Sequence, residues 1–110
     1  MSGTPGFISI VIPVYNEEGR IHQFLPRVIE YVRHKDFTCE LVIVDDGSTD
    51  RTVALVEDMI HRQLPGRYRI LRLAHNAGKG AAIRKGMLEA KGEHIFFLDA
   101  DGSTSIEEIG

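Results

Sequence analysis

The sequence has few of the features that mark several large classes of protein. It contains one cysteine, Cys39, so no internal disulfide can form, and we expect Cys39 to be a small buried residue of a strand. No apolar run approaches the roughly 20 residues that cross a bilayer. The first six residues lack a basic region followed by an apolar stretch, which argues against a secretory signal. These absences predict a soluble chain with a cytoplasmic location.

An excess of positive charge is also missing. The chain has 13 Lys and Arg against 16 Asp and Glu, a net charge of -3, and its basic residues do not cluster, so we expect no nucleic-acid partner. With 43% hydrophobic and 26% charged residues, the composition is that of a globular core. A length of 110 residues fits one domain, which we place at 7–110 behind a flexible N-terminus at 1–6.

Short apolar runs alternate with longer segments in which apolar residues recur every three or four positions. This alternation is typical of βαβ units, and the runs lack the polar alternation of a half-exposed strand. The predicted fold class is α/β, a three-layer α/β/α sandwich with a mainly parallel sheet. The four predicted strands are Phe7–Val14, Leu41–Val44, Tyr68–Leu73 and Ile95–Leu98.

The helix boundaries follow from capping and breaking residues. Asn16 is the predicted N-cap of the first helix, and Pro26 predicts a kink or a late start there because proline removes a backbone donor. Ser48 or Asp50 is expected to cap the second helix, and Gly92 to stop the third.

Polar residues follow the predicted strands at the point where each strand ends. Because ligands of open α/β sheets gather at the carboxyl ends of the strands, this edge is the candidate site. The residues concerned are Tyr15, Asn16 and Glu17 after the first strand, Asp45 and Asp46 after the second, and Asp99 and Asp101 after the fourth.

Asp99-Ala100-Asp101 places two carboxylates, separated by one residue, at the end of an apolar strand. Carboxylate oxygens suit Mg²⁺ or Mn²⁺, which proteins hold together with substrate phosphates, although an isolated motif of this kind is also compatible with a solvated acidic turn. Gly78-Lys79-Gly80 matches neither a phosphate loop nor a dinucleotide fingerprint, but it places Lys79 beside a helix N-terminus, a favourable place for an anion. The five histidines lack metal-ligand spacing, and we expect them at the surface.

Taken together, four segments in this order resemble the family 2 inverting glycosyltransferases, above all the dolichyl-phosphate glucosyltransferases and their polyprenyl-phosphate relatives. The segments are Ser9–Glu18, Val44–Asp50, Asn76–Gly86 and Asp99–Asp101. The resemblance implies a glycosyltransferase A-type fold, of which this chain would be the half that binds a nucleotide-diphosphate sugar.

The resemblance also implies roles for individual residues. In a nucleotide pocket of this type, Asp46 with Asp45 beside it contacts the base, and Asp99 lies by the ribose and diphosphate. Asp101 is the chief ligand of Mg²⁺ or Mn²⁺, with Asp99 beside it, and these two residues are the candidate catalytic pair. The residues implied to line the rest of the pocket are Pro13, Tyr15, Asn16, Glu17 and Lys79.

The partners implied are a sugar nucleotide of the UDP-glucose or GDP-mannose type and, in the full-length protein, a lipid-phosphate acceptor and membrane association on the cytoplasmic face. The acceptor half of the family follows the acidic motif and is absent here, so we expect this chain to bind nucleotide weakly without detectable turnover. An exposed sheet edge is expected to allow a homodimer.

Two other interpretations of the same residues stay open at this point. Asp99 followed by Ala100, Asp101 and Gly102 approximates the nucleophile motif of haloacid-dehalogenase-type phosphatases, in which the first aspartate attacks phosphate. Alternatively, Asp45 and Asp46 at a strand end suggest a receiver-like binding module without catalysis.

Overall fold

A computed structural model of the chain describes residues 7–34 and 39–98. Within these ranges, strands and helices alternate as the sequence predicts, and no helix is long and apolar enough to cross a membrane. The elements are β1 (Ile8–Val14), α1 (Ile21–Arg33), β2 (Cys39–Asp45), α2 (Thr52–Gln63), β3 (Tyr68–Arg72), α3 (Lys79–Glu89) and β4 (His94–Phe97).

The described strands form one parallel sheet in the order β3-β2-β1-β4. In this register Ile8 of β1 lies between Cys39 of β2 and His94 of β4. Cys39 is 1% exposed, which confirms its predicted place in the interior. Because β1, β2 and β3 run in the same direction, the turns that follow them lie at the same edge of the sheet.

Successive residues of the central strands face opposite layers. Ile10 and Ile12 of β1 pack with the apolar faces of α1 and α2, whereas Val11 between them packs with Ala82 of α3. Both faces of the sheet are therefore covered, which explains why β1 and β2 are nearly continuous apolar runs. The predicted three-layer sandwich is confirmed.

Helix α3 lies close to the sheet because its inner face carries small residues. Only Ala82 and Gly86 are buried on this helix. A Cβ atom at Gly86 would collide with the side chain of Val11 and come within 3.1 Å of Val44 Cγ2. The close approach fixes where α3 begins, and therefore where Lys79 stands at the carboxyl edge.

The predicted N-cap of the first helix is wrong. Asn16 does not cap α1, which begins at Ile21 behind Arg20 without a side-chain cap, because the side chain of Asn16 is bonded to Thr49 instead. Pro26 lies inside α1, so the late start predicted there is wrong, whereas the alternative of a kink stays a prediction.

At the second helix the Asp50 prediction holds in part. Asp50 Oδ1 accepts the backbone N–H of Thr52 at 2.9 Å, although Arg51 precedes the helix. The predicted stop at Gly92 is late by a few residues, since α3 ends at Glu89.

Candidate functional site

The first and second turns of the carboxyl edge are tied together by hydrogen bonds between side chains of one turn and backbone of the other. The backbone N–H groups of residues 16, 17 and 18 donate to Ser48 Oγ (2.8 Å), Thr52 Oγ1 (2.8 Å) and Asp50 Oδ2 (3.2 Å). In return, the N–H groups of Thr49 and Arg51 donate to Asn16 Oδ1 (2.9 Å) and Glu18 Oε1 (3.1 Å). We call residues 16–18 and 48–52, joined in this way, the inter-turn clasp.

Asn16 has an unusual backbone in the clasp, with φ at 48°. Asparagine tolerates this left-handed region better than most residues, and the conformation turns its side chain towards the second turn. The family resemblance implies that Asn16 is one of the nucleotide-binding residues. The structure shows its amide oxygen engaged by Thr49, and a direct contact with nucleotide stays a prediction.

The second turn is tied to the third through Asp46. Its carboxylate accepts the backbone N–H groups of Ala77 (2.8 Å) and Gly78 (3.0 Å) and the side-chain amide of Asn76 (3.0 Å). These donors immediately precede α3, so Asp46 holds the segment that leads to Lys79. Asp46 as a residue is 4% exposed, and its predicted contact with a base stays a prediction.

Gly47 allows the second and third turns to approach each other. Its φ is +78°, and a Cβ atom there would lie 2.5 Å from the backbone N of Asn76 and 2.6 Å from the carbonyl carbon of His75. A side chain at this position would meet both backbone strain and a collision.

Asp45, the neighbour of Asp46, is completely buried. Its Oδ2 accepts the backbone N–H of Ser48 at 3.0 Å and lies 3.7 Å from Nε of Arg72, a side chain that is 59% exposed. Within the described residues, Oδ1 has no hydrogen-bond partner. In this arrangement Asp45 shapes the second turn from inside, and its predicted proximity to the base stays a prediction.

The other predicted pocket residues differ in exposure. Pro13 is buried within β1 opposite Val44, whereas Tyr15 is 42% exposed at the strand's end. Glu17 is largely buried, and its Oε1 lies 2.7 Å from the guanidinium of Arg20. Lys79 is an exposed residue at the start of α3. The structure thus brings these residues to one edge, with Tyr15 and Lys79 facing solvent.

The carboxyl group of Asp50 in the clasp has a lowered pKa. Burial by itself would raise the pKa of this carboxyl. Hydrogen bonds from the Thr52 hydroxyl and from the backbone N–H groups of Thr52 and Glu18 outweigh burial and hold the pKa below its ordinary value. The anionic form of Asp50 is therefore the form that joins the two turns.

The predicted metal ligands Asp99 and Asp101 lie outside the described residues. Within 7–34 and 39–98, no group of three or more histidines, cysteines or carboxylates is arranged to hold a metal ion. The five histidines are exposed, as the sequence predicts.

Sequence reasoning missed how the turns are connected. Ser48, Thr49 and Thr52 give the second turn a run of hydroxyl groups, and the three backbone donors at 16–18 precede a helix that cannot satisfy them. Such donors need side-chain acceptors, so the Ser/Thr/Asp run was the available signal. Which acceptor serves which donor depends on the register of β1 with β2, and that register is a tertiary feature.

The model of glycosyl transferase family 2 matches residues 9–110. The chain belongs to this family. A dolichyl-phosphate beta-glucosyltransferase of Trichomonas vaginalis is 43% identical over 94% of this chain and 33% of its own length. The chain thus spans about a third of the length of the curated relatives it matches.

Solved structures show the same likeness for this family 2 chain. Staphylococcus aureus TarS 1-349 in complex with UDP-GlcNAc superimposes with a TM-score of 0.73 at 32% identity, covering 86% of this chain and 26% of that one. The mannosyltransferase PcManGT of Pyrobaculum calidifontis, in complex with GDP-Man and Mn²⁺, gives a TM-score of 0.75 at 26% identity, covering 90% of this chain and 28% of its own. Membership of family 2 decides against both the phosphatase and the receiver-like interpretations.

Proposed function

We propose that this chain is the nucleotide-sugar-binding part of an inverting glycosyltransferase that transfers a hexose from a UDP-sugar to a polyprenyl or dolichyl phosphate. The observation that carries the proposal is the 43% identity with a dolichyl-phosphate beta-glucosyltransferase across 94% of the chain. It is supported by the TarS complex with UDP-GlcNAc, whose protein resembles this chain at 32% identity.

The geometry of the carboxyl edge fits this role. Tyr15 presents a half-exposed ring that can stack on a base, and Lys79 presents an ammonium group at the start of α3 that suits a diphosphate. Asp46 Oδ1 accepts one backbone N–H, that of Ala77, and a carboxylate oxygen can accept a second donor. We propose that this second donor is the imide N–H of a uracil base.

We propose that Asp99 and Asp101 bind a divalent metal. Two carboxylates separated by one residue are the ligand set that Mg²⁺ or Mn²⁺ takes alongside substrate phosphates. When bound, such an ion neutralises the charge of the departing nucleoside diphosphate. The PcManGT complex with GDP-Man and Mn²⁺ supports a metal of this class.

Calorimetry tests the proposal on the chain as it is. UDP-glucose and GDP-mannose are titrated in Mn²⁺ and again in chelator, with wild type, Asp101→Asn and Asp58→Asn. Asp58 is an exposed carboxylate of α2 paired with Arg62, so its variant is the control for charge alone.

We expect UDP-glucose to bind with Mn²⁺, and Asp101→Asn or chelator to weaken binding about tenfold or more through loss of a metal ligand. Asp58→Asn should bind as wild type does. If neither nucleotide binds while circular dichroism shows a folded chain, the proposal fails.

A further inference from the structure

The hydrogen bonds of the inter-turn clasp show what holds the first turn in place. Five of its cross-turn bonds join a backbone N–H to a side-chain oxygen, three with the donor in the first turn and two with the donor in the second. The backbone of each turn is therefore held by side chains of the other. Tyr15 and Glu17 flank Asn16 in this first turn.

From this arrangement we infer that Asn16 is a positioning residue of the nucleotide site, which orients Tyr15 by locking the first turn to the second and does not itself bind nucleotide. The inference rests on the proposed function and deepens it. Asn16 takes part in the clasp at two points, since its backbone N–H donates to Ser48 Oγ and its Oδ1 accepts from Thr49 N.

The burial pattern predicts how such a role shows itself. Asn16 and Thr49 are exposed, so water can take over the bonds that either loses, and the folded state should survive the change. Val14, by contrast, is 2% exposed and fixes the end of β1. Loss of the bonds made by Asn16 therefore loosens the turn next to Tyr15, while the strand and the remaining bonds of the clasp stay in place. Ligand affinity should fall more than thermal stability.

A double-mutant cycle separates positioning from direct contact. Asn16→Gly removes the amide acceptor and suits the backbone at φ 48°. Ser48→Ala removes the hydroxyl that receives the Asn16 N–H and leaves the Asn16 side chain intact. Thr49→Ala is the matched control. It keeps the backbone N–H that donates to Asn16 Oδ1, and it removes only the Thr49 hydroxyl, which lies 3.5 Å from the same oxygen.

Dissociation constants for UDP with Mn²⁺ are measured by calorimetry, with melting temperatures and the amide NMR signals of Tyr15 and Thr49 in the ligand-free chain. We expect Asn16→Gly and Ser48→Ala each to weaken UDP binding about tenfold, the upper range for one hydrogen bond. The double variant should bind UDP at most about twofold more weakly than either single variant, because both substitutions break the same hydrogen-bonded connection between the turns. Thr49→Ala should stay within about twofold of wild type and leave the Tyr15 signal in place.

Three results would overturn the inference. Binding weakened by Asn16→Gly alone would make Asn16 a ligand of the nucleotide, and additive losses in the double variant would give the two residues separate roles. Unchanged binding in both singles would make the clasp structural. If Asn16→Gly does not fold, Ser48→Ala against Thr49→Ala decides in the same way. A folded wild type that binds no UDP defeats the proposed function and the inference with it, whereas the other results defeat the inference alone.

Discussion

Each end of α3 is held by a buried carboxylate that accepts backbone N–H groups, and the two carboxylates lie at opposite edges of the sheet. At the carboxyl edge, the buried carboxylate of Asp46 accepts backbone N–H groups from the segment that enters α3. At the amino edge, the buried carboxylate of Glu40 accepts the backbone N–H of Lys91, in the segment that leaves α3, at 2.8 Å. It also accepts the hydroxyl of Ser9 at 2.6 Å.

The two edges differ in what surrounds the carboxylate. Ser9 is fully buried and its hydroxyl accepts the N–H of Gly92, so the network at the amino edge is closed among its own members. Around Asp46 stand the clasp, the exposed ring of Tyr15 and the exposed Lys79. The same bond chemistry thus serves the fold at one edge and presents side chains to a ligand at the other. Changes at the amino edge should affect stability alone, and changes at the carboxyl edge should affect stability and binding.

The largest expected effect comes from Gly47 at the carboxyl edge. Gly47→Ala should lower the free energy of unfolding by about 3 kcal/mol, because a left-handed alanine costs about 1 to 2 kcal/mol and overpacking adds about as much. The collision is with backbone atoms of His75 and Asn76, so the third turn must move. Urea denaturation measures the stability.

Alanine substitutions at two other glycines distinguish the cost of backbone strain from the cost of a steric collision. Gly66 has the same φ of +78°, but a Cβ atom added there would have no neighbour within 4 Å, so Gly66→Ala should show strain alone, at about 1 kcal/mol. Gly19 has neither feature, and Gly19→Ala should be close to neutral. Equal losses at Gly47 and Gly66 would show that the two turns do not pack as the structure has them.

Much of the fold could be predicted from the sequence, for a physical reason. Strands buried on both faces need continuous apolar runs, and these were visible in β1 and β2. Prediction failed at the start of α1, where Asn16 matched the local pattern of an N-cap while its side chain is bound to Thr49, which is 33 residues away. Local propensity is blind to such a partner.

The sequence predicted that the candidate site lies at the carboxyl edge of the sheet, but it predicted fewer of the contacts within the site. Parallel strands bring Tyr15, Asp46 and Lys79 to one edge, and that follows from topology. The bonds of Asp46 to the segment before α3 depend on how closely α3 approaches the sheet, which Gly47 and Gly86 decide through the space they leave. The sequence shows these glycines but not their neighbours.

A second prediction compares the edges directly through Glu40→Ala and Asp46→Ala. The first removes a carboxylate that accepts two buried or partly buried donors, and the second removes one that accepts three. We expect each to lower the free energy of unfolding by about 2 kcal/mol. UDP affinity, measured by calorimetry with Mn²⁺, should fall about tenfold or more in Asp46→Ala only. Equal losses of affinity in both variants would mean that the amino edge also shapes the site.

The smallest expected effect is a pH dependence that belongs to the clasp. Because hydrogen bonds hold the pKa of Asp50 below its ordinary value of 3.8, the folded state binds this proton less readily than the unfolded chain does. The stability that Asp50 contributes is therefore fully present above about pH 4 and is lost as the pH falls through the lowered pKa. Asp50→Asn keeps an oxygen for the Thr52 N–H and cannot titrate, so it isolates the contribution of the charge.

Melting temperatures of wild type and Asp50→Asn, taken from neutral pH down to about pH 2, should differ most at neutral pH and converge in acid. Thr52→Ala sharpens the comparison, since the Thr52 hydroxyl donates to Asp50 Oδ1 at 2.5 Å and contributes to the lowered pKa. When both proteins also carry Thr52→Ala, the difference in melting temperature caused by Asp50→Asn should depend less on pH. A difference that grows in acid would mean that the clasp favours the neutral carboxyl, and the hydrogen bonds assigned to Asp50 would then be wrong.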